Sequence, residues 1–303
     1  MKRMLLFTGA SGLNTEVDPV RHVYDPEKGI TALALAKNVD FDYTGRPSNR
    51  KGWKFTSVSG NCHSLFSEGG VCLFVTGNAL MVLASDLSTK AIRNVTVGAR
   101  MSYVQVGASV YYCNGREIGF VKDGVSVEWS NPPVVYHVKD TTKVLSGPPV
   151  GSLLEYFNGR MYVVQQNIAW ASEQYDVNSF DLSQSFIPFE SSVTMVKGVT
   201  EGVWVGTRSK VIFLRGSHPG DFRYEIKGLF GTIPGTEVKV DGFKVGQGEI
   251  PEVGVLFTGK YGPCFGTADG RLIPLAERKV AVPTALRGAG AVLGKKYVVA
   301  LED

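Results

Sequence analysis

The chain is poor in the residues that most often build chemistry. It has only four cysteines, Cys62, Cys72, Cys113 and Cys264, and none stands at CxxC or other metal-ligand spacing. That excludes a cysteine-built metal site legible in sequence. Cys62 and Cys72 could meet across a hairpin, but each also borders a strand-like apolar run, and buried free thiols in a reducing cytosol are the expectation. The four histidines, His22, His63, His137 and His218, are isolated from one another and from any Ser or Cys nucleophile motif. No apolar run reaches the ~18 residues of a membrane helix. The opening run through Leu5, Leu6 and Phe7 stops at Thr8-Gly9, too short for a secretory signal. The net charge is only +4 with scattered basic residues, so charge alone does not argue for nucleic-acid binding.

Helical periodicity is also nearly absent. Its best candidate, Ala32-Leu33-Ala34-Leu35-Ala36, is short and leads into a strand-like segment. What is abundant is glycine, 36 residues in a chain of 303, without a strict period, which points to many tight turns. Between the turns lie short runs of Val, Ile, Tyr, Phe and Trp. Their number exceeds what a single sandwich holds and points to a closed or repeated sheet.

The runs fall into groups. Residues 101–105, 109–113, 117–121 and 125–129 read as four strands, with Asn114-Gly115 and Asp123-Gly124 in the turns. These dipeptides accept positive φ cheaply and mark hairpins. Four antiparallel strands so joined make one propeller blade. Similar groups begin near 63, 152, 193 and 253. The outer strand of the 152 group is obscured between Tyr175 and Phe186. Strands near 39–42 and 53–56, with others near 290–293 and 296–301, are each half a blade. Together they predict a sixth blade that closes the ring by pairing the two ends of the chain. The expected fold is therefore all-β, a six-bladed propeller of mostly four antiparallel strands over 31–303. Residues 1–30 form an N-terminal arm whose apolar anchors are Leu5, Leu6 and Phe7. The arm packs either on a neighbouring subunit or back on its own propeller.

No catalytic constellation, cofactor site or metal site emerges. Gly9-Ala10-Ser11-Gly12 begins like a dinucleotide-binding turn, but Asp18-Pro19 follows where a helix is required. Asp40 and Asp42 share one face of a strand, as two glycosidase carboxylates would. Their position before Tyr43-Thr44-Gly45-Arg46 reads instead as turn capping and surface ion pairing. Repeated sialidase turns and Trp-Asp repeat signatures are both missing. Arg46, Arg50, Lys51 and Trp53 form a basic cluster with one aromatic, the candidate polyanion contact, against the plainer reading of a solvated face.

Three segments carry a family resemblance. They are Ser11-Gly12-Leu13-Asn14-Thr15 to Asp18-Pro19, Lys37-Asn38-Val39-Asp40-Phe41-Asp42 to Gly45-Arg46, and Arg50-Lys51-Gly52-Trp53. They resemble the opening of virion proteins of tailed bacteriophages. Cys62-His63-Ser64-Leu65-Phe66 and Val110-Tyr111-Tyr112-Cys113-Asn114-Gly115 are similar to the blade segments that follow. The chain departs from the pattern at Asn49, where the first of two arginines is expected. The resemblance implies a propeller component of a tail or head–tail machine, such as a nozzle, hub or adaptor-associated ring. It implies a non-enzymatic protein made in the bacterial host cytoplasm and located in the virion tail. Its partners would be other tail or head–tail proteins and further copies of itself in a homo-oligomeric ring, with non-specific contact to passing DNA. A propeller that binds host surface glycan is the alternative, and a glycan hydrolase a more distant one.

Overall fold

A computed structural model describes residues 9–25, 30–42, 45–52, 58, 60–130, 144–242, 253–276, 279–280, 282, 285–294 and 296–302. Within these the chain is an all-β propeller with five blades. The first blade has strands Cys62–Glu68, Val71–Thr76, Ala79–Leu83 and Thr89–Asn94. The second has Ser102–Val106, Ser109–Cys113, Ile118–Lys122 and Val125–Glu128. The fourth has Val193–Val199, Gly202–Thr207, Val211–Arg215 and Arg223–Gly228. The fifth has Val238–Asp241, Val253–Gly259, Gly262–Gly266 and Leu272–Pro274. Each is an antiparallel meander in which successive strands pair.

The third blade differs at its rim. Leu153–Phe157, Arg160–Gln165 and Ile168–Glu173 pair in order, but two pieces share the outer position. A register shift between Ser172 and Glu173 lets Asp176–Phe180 pair with one end of Ile168–Glu173. Phe186–Pro188 pairs with the other end. The split explains why this strand is obscured in the sequence.

Local sequence dictates the hairpins. Asp123 and Gly124 have φ of 51° and 71°, and Asn158 and Gly159 have 47° and 77°. Two successive positive φ values match the right-handed twist of the strands they join. The alternating side chains then project to both faces of each blade and fill the seams between neighbours. Leu73, Val75 and Leu80 of the first blade meet Val110, Tyr112 and Val121 of the second. Cys113 and Trp129 meet Leu154, Met161 and Phe180 across the next seam. Val164 and Ala169 meet Val196, Val205 and Ile212, and Trp204 and Phe213 meet Val255 and Phe257. Each buried aliphatic or aromatic side chain contributes about 1.5–3 kcal/mol by leaving water.

Among the described residues the expected sixth blade and its closure are not found. Val39–Phe41 pairs with Pro47–Asn49, and Arg287–Leu293 pairs with Lys296–Glu302, each as a separate two-stranded sheet. Each hairpin pairs with its own near neighbour, which costs less chain entropy than bringing the two ends of the protein together. The expected strand at 53–56 lies outside the described residues. The C-terminal hairpin nevertheless packs on the fifth blade, where Val292 and Tyr297 cover Val240, Leu256 and Phe265. Tyr297 Oη lies 2.5 Å from Thr236 O, to which it donates.

Two further expectations shift. The fifth blade begins at Val238, not near 253, because residues 242–252 separate its first two strands. The segment with the best helical pattern starts as a strand: Ile30–Leu33 runs parallel to Gly9–Leu13 and antiparallel to Tyr24–Asp25.

Candidate functional site at the chain ends and the propeller axis

The segments that carry the family resemblance assemble in space. Gly9–Leu13 enters through a bulge at Ser11, followed by Gly12, whose φ of 130° suits glycine. Asn14 then folds the chain back: its Oδ1 accepts the amides of Glu16 and Val17, both at 3.2 Å. Asp18 caps the short 3-10 helix Pro19–Arg21 by accepting the Val20 amide at 3.0 Å. The Ala10 amide donates to Gly45 O at 2.8 Å. Gly45 has φ 81°, and a Cβ there would lie 2.5 Å from Ala10 O, so both conformation and space demand glycine. The Thr15 amide donates to Lys279 O at 2.8 Å, tying the start of the chain to its end.

The carboxylates beside this junction do as their turn position suggests. Asp42 Oδ1 accepts the Arg46 amide at 3.0 Å and caps the turn. Asp40 pairs with Lys296 at 2.8 Å and with Arg50 at 3.4 Å. The hydrogen bond from Lys296 is the main reason the Asp40 carboxyl is held below its ordinary pKa of 3.8. One carboxylate thus bridges the N-terminal and C-terminal hairpins.

Of the sequence-derived site residues, Arg46, Arg50 and Lys51 are exposed at this junction. Arg50 spends its charge on Asp40. Trp53 lies outside the described residues, as do Leu5, Leu6, Phe7 and His137.

A second polar centre lies on the innermost strands. Glu155 of the third blade has a side chain only 2% exposed, paired with Lys197 of the fourth blade at 3.5 Å. It also accepts a short hydrogen bond from Lys239 of the fifth. A carboxylate this buried requires such partners. Near the start of the second blade, Arg100 Nη1 donates to Pro234 O and Gly288 O, both at 2.8 Å. Glu155–Lys239 joins the third blade to the fifth, and Arg100 joins the entry to the second blade to the entry to the fifth and to the C-terminal hairpin, so each spans elements that are not neighbours and crosses the axis where the first strands converge. Sequence reading missed them. Glu155 sits in the apolar run Leu153-Leu154-Glu155-Tyr156-Phe157, and that one misplaced charge was the available signal.

The remaining reactive side chains are dispersed. Among the described residues no three of His, Cys, Asp and Glu come together as a metal site. All four cysteines are free. Cys113 and Cys264 are buried, and burial pushes the Cys264 thiol up to about 12, whereas Cys62 is exposed and Cys72 half-buried. Cys62 faces Thr76 and Cys72 faces Ser67, so the two do not meet. His63 lies against the Ser64 hydroxyl at 2.9 Å. Burial, then the charges of Arg287 and Arg100, lower its pKa.

No protein-family model matches this chain, and no characterised protein matches it by sequence. Solved structures resemble it in fold. The crystal structure of BBS1N in complex with ARL6DN aligns with a TM-score of 0.50 at 11% identity, over 76% of this chain and 71% of that one. Virginiamycin B lyase from Staphylococcus aureus aligns at 0.48 and 11%, over 87% and 84%. At 11% identity the first of these likenesses bears on the fold alone.

Proposed function

We propose that the protein is a structural component of a bacteriophage tail or head–tail machine, a rigid propeller that works by assembly and not by catalysis. The observation that carries this reading is where the family-like residues lie. Asn14 and Asp18, Asp42 and Gly45, and Arg50 come from three segments, yet each serves a turn, a cap or a bond near the junction of the chain ends. That is the use a structural signature has, whereas a catalytic one leaves side chains aimed into a cleft. In this reading residues 1–30 are the assembly arm, and Leu5, Leu6 and Phe7 are its anchors on a neighbour. DNA would pass through a ring of subunits. The axis of a single propeller is crossed by Glu155, Lys239 and Arg100, and the mild net charge suits passage without strong phosphate binding.

Mass spectrometry of purified particles, with cryo-electron microscopy of the tail, tests the proposal. The expected outcome is a stoichiometric signal and a propeller-shaped density at the tail or neck. A protein absent from the particle, or one that turns over a glycan, would overturn it.

A further inference from the structure

The C-terminal hairpin presents an open sheet edge. Among the described residues, Lys296–Glu302 pairs only with Arg287–Leu293. That neighbour is used on both sides, because Gly288 N–H and Gly290 N–H donate to Pro234 O and Gly235 O at 2.9 and 3.0 Å. Those two bonds set the alternation of the ladder. Residues 288 and 290 point away from the hairpin partner, so the main chain of 287, 289, 291 and 293 points toward it. The main chain of Lys296, Val298, Ala300 and Glu302 therefore faces inward, and that of Tyr297, Val299 and Leu301 faces outward. Among the described residues these three have no backbone partner on the outer side. An uncovered edge of this length is a template for strand addition.

The edge is complementary to itself. An antiparallel pairing centred on Val299 sets Lys296, which also holds Asp40 at 2.8 Å, opposite Glu302 of a second copy, and Glu302, which also holds Arg287 at 2.7 Å, opposite Lys296 of that copy. The same register sets Val298 against Ala300 on the exposed face, where Val298 is 37% exposed. On the other face Tyr297 meets Leu301 on either side of the central Val299 pair. The outward-facing groups of Val299 make that central pair a hydrogen-bonded one, as the ladder requires. Opposite charges at both ends also select this register over a one-residue slip, which would move every side chain to the wrong face. Two hairpins so joined form a four-stranded sheet, the strand number of the first, second, fourth and fifth blades.

We infer that the strand Lys296–Glu302 is a dimerisation edge that pairs antiparallel with the same strand of a second copy of this chain. The contact is isologous, with a two-fold axis through Val299. It stands apart from the virion reading and holds or fails without it.

Sedimentation of the full chain tests it through a charge exchange. In Lys296→Glu the two ends of the pairing oppose Glu to Glu, and in Glu302→Lys they oppose Lys to Lys. Each variant alone is expected to dimerise on the order of tenfold more weakly than the wild type. Mixing the two variants restores both attractive pairs, so the mixture is expected to regain a heterodimer. Damage within one chain could not give this recovery, because the pairs that the substitutions break with Asp40 and with Arg287 stay broken in the mixture. Wild-type protein that stays monomeric up to about 100 μM would overturn the inference and leave the edge to a different partner strand. A dimer indifferent to both substitutions, or two weakened variants that fail to recover on mixing, would overturn it equally.

Discussion

The five blades and the two terminal hairpins are built from the same material, short apolar strands and glycine turns, yet they are held by different forces. A blade is one layer in a stack. Both faces of the second to fifth blades are covered, and side chains such as Trp204 and Phe213 are wholly buried in a seam. Among the described residues the terminal hairpins share no such seam, and the Asp40–Lys296 pair, with its neighbour Arg50, links them. The difference teaches that, among the described residues, the two ends of the chain are joined by polar bonds. The Thr15 amide reaches Lys279 O and Asp40 pairs with Lys296, where the seams between blades are apolar.

The largest effect should come from a seam. Trp204→Ala removes a buried indole whose Nε1 donates to Thr267 O at 2.9 Å, and it leaves a cavity between the fourth and fifth blades. A loss of about 3–5 kcal/mol is expected in urea unfolding. A loss below about 1 kcal/mol would mean that the seams are not the main source of stability.

The axis comes next. Glu155→Ala strands Lys197 and Lys239 beside each other with their shared carboxylate gone, at an expected cost of about 3 kcal/mol. Glu155→Gln keeps hydrogen bonding and should cost less. If neither substitution changes the unfolding midpoint, polar bonds across the axis do not hold the blades, and the apolar seams alone do.

The smallest effect should appear at the junction of the hairpins. Lys296 lowers the Asp40 pKa, so the ion pair stabilises the fold above the ordinary value of 3.8 and is lost as the pH falls through the lower folded value. Lys296→Ala should raise the Asp40 pKa toward that ordinary value in an NMR titration. An unchanged titration would show that the two hairpins are not joined by this pair in solution. The pair is open to solvent and therefore a weak fastener.

How much of this was legible in the sequence depended on where each decision was made. The second blade was read to within a residue or so, because Asn114-Gly115 and Asp123-Gly124 impose their turns locally. The first strand of the fifth blade escaped notice, because four residues of alternation at Val238–Asp241 are a weak signal set off by the insertion that follows. The rim of the third blade was unreadable because two segments compete for one position beside Ile168–Glu173. At the candidate site, the capping role of Asp42 and the ion pairing of Asp40 followed from their place before a turn. The bond between Ala10 and Gly45 had no local signature, and neither did the meeting of Glu155 with Lys239.

The residue pattern by itself determined that the chain is all-β, that it is built from repeated four-stranded meanders, and where most hairpins fall. Those are consequences of φ preferences and two-residue periodicity, which act over a few residues. Only the tertiary structure decided that there are five blades, that the terminal strands fold into separate hairpins, and that charges from distant strands meet on the axis. Each of those depends on which edges and side chains meet after tens or hundreds of intervening residues have folded, and nothing in a local stretch of chain encodes that choice.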